Sequence, residues 1–160
     1  MNRLSCTASI EEALAALEAE FDALGDWEER YRYLIDLGRT LPQLQEAEYS
    51  EANKVRGCAS QVWLVTSAAD GRLEFRGDSD AHIVRGLIAV LLSLYSGRTP
   101  AAILAFAARP ALEQLGLPSA LSAQRANGLF AMVERIRREA ADQAARPPPA
   151  SWPASPTTAS

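Results

Sequence analysis

Between Ile83 and Tyr95 the chain reads Ile-Val-Arg-Gly-Leu-Ile-Ala-Val-Leu-Leu-Ser-Leu-Tyr. A run of that length is a helix, and a helix that is apolar nearly all round cannot rest on a surface. The rest of the chain must therefore supply layers that enclose it. The longest apolar stretch, Gly86 to Leu94, is about half of what a bilayer crossing requires, so the enclosure is expected to be protein, with no membrane role.

The segments before this helix have clear start and stop signals. Ser9 followed by Glu12 is a capping-box pattern. Behind it Ile10, Leu14, Leu17, Phe21 and Leu24 recur at helical spacing, until Gly25. Asp26 and Glu29 open a second helix, with Trp27, Tyr31, Leu34 and Ile35 on its buried face and Gly38 at its end. The polar stretch from Leu41 to Ala52 reads as a short helical turn and a loop. Gln61 to Thr66 reads as a strand through Val62, Trp63, Leu64 and Val65. Asp70-Gly71 is a two-residue hairpin signal, and Leu73 and Phe75 then alternate with charged residues as in a half-buried strand. Gly77-Asp78-Ser79-Asp80 reads as a turn that caps the apolar helix.

Beyond that helix, Thr99-Pro100 starts a short helix, Pro110 to Leu115 forms another, and a long one follows Ser122. The long helix carries Leu129, Met132, Val133 and Ile136 on one face and Arg135, Arg137, Arg138 and Glu139 on the other. The order of elements predicts an α+β domain over residues 9–145, with a small antiparallel β-sheet packed against helices. Residues 1–8 are expected to be a flexible N-terminus. Residues 146–160, rich in Pro, Ala and Ser with Trp152 as their one large apolar side chain, are expected to be a disordered tail.

The chain of 160 residues carries a formal charge of -4, which gives a nucleic-acid role no electrostatic footprint. Its two cysteines, Cys6 and Cys58, cannot make a disulfide framework, and a reducing, cytoplasmic location is the natural expectation. Leu4-Ser5-Cys6 lacks the preceding apolar run of a lipoprotein signal. Cysteine and histidine do not cluster at metal-binding spacing, and neither a P-loop nor a dinucleotide-binding glycine pattern is present. No metal site is expected.

Cys58 is the chemical candidate. A lone cysteine beside a strand is commonly a small buried hydrophobe. Three neighbours argue otherwise: Gly57 lets another backbone approach, Lys54 and Arg56 add charge expected to favour the thiolate, and the segment is a polar connection of the kind that displays reactive groups. Val62 and Trp63 are expected to cover the thiol in the free protein. His82, the single histidine, is the one imidazole available for a Cys–His nucleophile, which leaves a free-standing thiol transferase as an alternative. Arg125 stands near a helix start, where it opposes the macrodipole and so has some other task.

A series of blocks resembles the SufE family of sulfur-acceptor proteins. It runs from Asp26-Trp27-Glu28-Glu29-Arg30-Tyr31 through Ile35-Asp36-Leu37-Gly38 and Leu41-Pro42. It is sharpest at Val55-Arg56-Gly57-Cys58-Ala59-Ser60-Gln61-Val62-Trp63, and resumes at Gly77-Asp78-Ser79-Asp80, Ile83-Val84-Arg85-Gly86-Leu87-Ile88-Ala89 and Arg125-Ala126-Asn127-Gly128-Leu129. The alanine at position 59 departs from the polar residue of many relatives. The resemblance implies a fold similar to the iron–sulfur scaffold proteins of the NifU kind. It implies that Cys58 accepts persulfide sulfur from a SufS-type cysteine desulfurase, stimulates that enzyme, and passes the sulfur to a downstream scaffold complex for iron–sulfur cluster assembly. Pyridoxal phosphate (PLP) then belongs to the partner, and this chain needs no cofactor. Lys54, Arg56, Gly57 and Arg125 are the expected partner-binding residues.

Overall fold

The first helix, α1 (Ile10–Ala23), begins where the sequence places it. Ser9 Oγ accepts from the Glu12 N–H at 3.1 Å, and the Ser9 N–H donates to Glu12 Oε1 at 3.0 Å. This reciprocal bonding satisfies donors that a helix start otherwise leaves open. Helix α2 (Trp27–Gly38) is capped by Asp26, whose carboxylate accepts from the Glu29 N–H at 3.0 Å. The computed structural model describes residues 9–145. The expectations for residues 1–8 with Cys6, and for 146–160 with Trp152, lie outside the described residues.

After a 3-10 turn at Glu46–Glu48, strands β1 (Val62–Ala69) and β2 (Arg72–Ser79) form an antiparallel hairpin. Its register puts Val62 opposite Ser79 and Ala69 opposite Arg72. Asp70 and Gly71 both have positive φ, 55° and 77°, the paired left-handed conformations that let a two-residue turn match strand twist. Both strands run longer than the sequence pattern suggests. Gly77, Asp78 and Ser79 belong to β2 instead of a turn, because they continue the ladder opposite Leu64, Trp63 and Val62. The expected capping by this segment is also absent: the N-cap of the next helix is Ala81, without a side-chain bond.

That next helix, α3 (His82–Tyr95), is the enclosed apolar one. It packs against α1, α2, β2 and the last helix. A Cβ on Gly38 would lie 2.7 Å from the Gly86 nitrogen, and a Cβ on Gly86 would fall on the Leu34 carbonyl. The two glycines therefore let α2 and α3 approach backbone to backbone. Val62, Leu64, Leu73 and Phe75 turn the inner face of the hairpin to the same core. Buried Arg98 closes the far end of α3, donating from Nε to the Leu94 carbonyl at 2.9 Å and from Nη2 to that of Ser93 at 3.2 Å.

Four further helices complete the wrapping: α4 (Pro100–Ala105), α5 (Ala108–Gln114), α6 (Leu117–Ala120) and α7 (Ala123–Ala145). Thr99 caps α4 by accepting from the Ala102 N–H at 3.1 Å. The architecture is α+β, a small antiparallel sheet packed against helices, as the element order predicts. Two arginines of the charged face of α7 turn inward: Arg135 and Arg137 are partly buried and bond main-chain carbonyls of other segments. Arg137 Nη1 reaches the carbonyl oxygens of Leu104 and Phe106, at 3.2 and 3.3 Å, which the end of α4 leaves open.

Candidate functional site

The chain from Val55 to Val62 is a loop with fastened ends. The Val55 N–H donates to the Val62 carbonyl at 2.8 Å, and the Leu64 N–H donates to the Asn53 carbonyl at the same distance. These bonds make Lys54 and Trp63 bridge partners, so residues 53–55 form a short extra rung on the edge of β1. Val55 and Val62 are both buried, which anchors the loop's two ends in the core. At Gly57 the backbone turns through φ 88°, a left-handed conformation that disfavours a side chain. That turn puts Cys58 back toward the protein.

The Cys58 thiol is half-buried and free of any disulfide. Its Sγ lies 3.6 Å from the Gly128 carbonyl oxygen, to which it donates. Beside it is a cavity of about 20 Å³. Val84 and Leu87 of α3 and Leu129 and Met132 of α7 make its apolar walls, and Gln124, Arg125 and Gly128 lie along it. Burial pushes the Cys58 thiol above its ordinary pKa, because a thiolate is poorly solvated among apolar walls. In this conformation the thiol is held neutral.

The basic residues of the loop do not offset that shift. Arg56 is exposed and paired with Glu51 at 2.9 Å, both side chains about three-quarters free, and such a pair contributes little. Lys54 is a bridge residue of the sheet edge. Neither lines the cavity, so the expectation that they favour the thiolate is corrected. Arg125 does line the cavity beside the thiol, from the first turn of α7, where its N–H donates to Ser122 Oγ at 3.3 Å. His82 is exposed at the start of α3 and is not among the residues around the cavity.

The cover over Cys58 is also different from the one expected. Val62 faces the core, and Trp63 packs edge-on against Tyr49 with ring centroids 4.9 Å apart. The shelter comes instead from α3 and α7. Two acidic residues assigned to turn and capping roles act on this region. Asp80 Oδ1 accepts from the Gln61 N–H at 3.1 Å, tying the loop's C-terminal end to the start of α3. Asp78 accepts from the Tyr49 hydroxyl at 2.6 Å and its Oδ1 lies 3.0 Å from Arg85 Nε. The sequence signal for Gly128 was its small size in a helix otherwise rich in larger residues. Nothing local marked Val84 or Leu87.

The site among the described residues is thus one loop-borne, half-buried thiol on a small α+β domain. Among the described residues no group of three His, Cys, Asp or Glu side chains is placed to hold a metal, and no helix is long and apolar enough to cross a membrane. The family model "SufE: Fe-S metabolism associated domain" matches residues 15–140. An uncharacterized SufE-like protein of Rhizobium etli is 52% identical over 130 residues, 79% of this chain and 88% of that protein. Another, from Rhizobium meliloti, is 50% identical over 125 residues, 76% and 89% of the two chains. The solution structure of a hypothetical protein from Thermus thermophilus has the same fold, with TM-score 0.70 at 18% identity over 84% of this chain and 97% of that one.

The chain belongs to the SufE family, whose domain is associated with iron–sulfur metabolism.

Proposed function

We propose that Cys58 is a sulfur-accepting thiol, loaded by a SufS-type cysteine desulfurase and emptied into iron–sulfur cluster assembly. The observation that carries this reading is the cavity beside Sγ, whose volume of about 20 Å³ admits one water-sized group. A persulfide adds one sulfur atom to a cysteine, and the cavity offers that atom a partly sheltered site, away from the full reach of small thiols and oxidants.

The transfer is a thiol exchange. The Cys58 thiolate attacks the outer sulfur of the donor persulfide, a new sulfur–sulfur bond forms on Cys58, the donor bond breaks, and the donor cysteine leaves as a thiolate. No external oxidant or reductant is consumed. Attack needs the thiolate, which the sheltered position disfavours. Opening of the loop on docking would restore it, and the exposed side chains of Arg56 and Arg125 and the bare backbone of Gly57 form the approach. Removing the product from the desulfurase accounts for the stimulation. The PLP resides in that enzyme.

Mixing the chain with a cysteine desulfurase and L-cysteine tests the reading by intact mass. The expected result is one added sulfur on Cys58, absent from Cys58→Ser. An unchanged mass at full desulfurase turnover would overturn it.

A further inference from the structure

The Cys58 loop lies along a single stripe of α7. Gly128 faces the thiol. Ala131 faces Gly57, where an added Cβ would come 3.3 Å from the alanine methyl. Arg135 reaches back to the loop's root: Nη1 donates to the Lys54 carbonyl at 2.9 Å and Nη2 to the Ala52 carbonyl at 2.8 Å. Positions 128, 131 and 135 are spaced i, i+3, i+7, which places them on one helix face. Two small residues allow close approach of the loop, and one long residue grips its base.

Arg135 is built to stay there. Its side chain is 14% exposed, and its Nε pairs with Glu139 at 2.9 Å. The backbone that it grips is the same rung that exchanges hydrogen bonds with β1 through Asn53 and Val55. The root is thus held from two sides, by the strand and by the helix. A guanidinium fork serves two carbonyls at once, which a lysine ammonium on its flexible stem does less well.

We propose that Arg135 is a positioning residue for Cys58, clamping the root of its loop onto α7 so that the thiol is seated in its cavity. It touches neither the thiol nor the sulfur, and acts through the backbone of residues 52–54. Its importance for transfer rests on the sulfur-acceptor reading above, but the clamp can be tested without sulfur.

The test uses the full chain in a Cys6→Ser background, so that Cys58 is the one thiol. Alkylation by a small maleimide is compared for wild type, Arg135→Met and Arg135→Lys. Loss of one charge-assisted hydrogen bond corresponds to roughly a tenfold shift in an opening equilibrium. Arg135→Met removes both bonds to the root and is therefore expected to label at least about tenfold faster, with Arg135→Lys between the two. Amide exchange should quicken at Val55 and Leu64 and stay as in wild type across the α2–α3 contact. Wild-type labelling in folded Arg135→Met, or exchange that quickens everywhere alike, would overturn the clamp. If Arg135→Met does not fold, Arg135→Gln, which keeps one donor group, is read by the same criteria. If wild type accepts no sulfur while Arg135→Met still frees Cys58, the sulfur reading fails and the clamp stands.

Discussion

A methyl group added at Gly128 separates stability from sulfur chemistry. Gly128 sits in the interior of α7, so its replacement by alanine favours the helix by about 0.8–1 kcal/mol. An added Cβ would lie 3.5 Å from Cys58 Sγ and 3.7 Å from Cys58 Cβ, ordinary contact distances that the folded chain accepts without movement. For a domain of this size the melting midpoint should rise by roughly 3 °C. The same methyl projects toward the thiol, into a cavity of about 20 Å³. A sulfur atom added to Cys58 then meets an occupied site, and overpacking of this kind costs about 1–3 kcal/mol. Gly128→Ala should consequently melt higher yet accept sulfur about tenfold or more slowly. The assay is a quenched time course with desulfurase and L-cysteine, read by intact mass, beside a thermal melt. Wild-type loading in a stabilised Gly128→Ala would refute the idea that the cavity receives the sulfur. A lower melting midpoint would refute the packing argument itself.

Other expectations follow from the same contacts. Gly38→Ala forces a Cβ to within 2.7 Å of the Gly86 nitrogen, so the urea midpoint should fall by the equivalent of about 1–3 kcal/mol; an unchanged midpoint would mean that α2 can retreat freely. The native Cys58 thiol has a raised pKa, so above the ordinary thiol value the unfolded chain ionises first. Stability from this group is therefore intact below that value and declines as pH rises through the native one. Cys58→Ala should lack that alkaline decline, and parallel curves for the two proteins would contradict it. Cys58→Ser should abolish desulfurase stimulation while Cys6→Ser retains it; the reverse pattern would move the site. A chain ending at Ala145 should keep its melting midpoint and sulfur acceptance, and a large loss of either would assign a role to the segment 146–160.

The local grammar of the sequence was informative wherever neighbours decide conformation. Ser9 with Glu12, Asp26 with Glu29, Thr99 with Pro100, and Asp70-Gly71 each specify their element through atoms only a few residues apart. The enclosed helix was legible because an all-round apolar surface permits no other place. What escaped reading depends on register and on distant partners. Asp78 and Asp80 have turn-like chemistry, but the ladder continues through Asp78, and the Asp80 carboxylate meets a backbone N–H from position 61. The cover over Cys58 comes from residues about position 84 and about position 128, which no local pattern links to the thiol. Arg135 reads only as one charge on the polar face of a helix until the carbonyls of Ala52 and Lys54 are placed beside it. Resemblance to a family drew attention to Arg125, which the cavity does include; spacing alone offered only its awkward position against the helix dipole.

The fastened ends of the Cys58 loop also limit how far its thiol can travel. Three peptide units separate Val55 from Cys58, and an extended chain spans at most about 3.6 Å per residue. The Cys58 Cα can therefore be no farther than about 11 Å from that of Val55, and the bond between Val55 and Val62 holds Val55 at the sheet edge. The thiol is thus on a short tether. A donor recessed more deeply than this in its own protein must come to the loop's root, or else break the rung beside β1. On the sulfur-acceptor proposal, the depth of a matching donor pocket is accordingly bounded by the count of residues between an anchor and a sulfur.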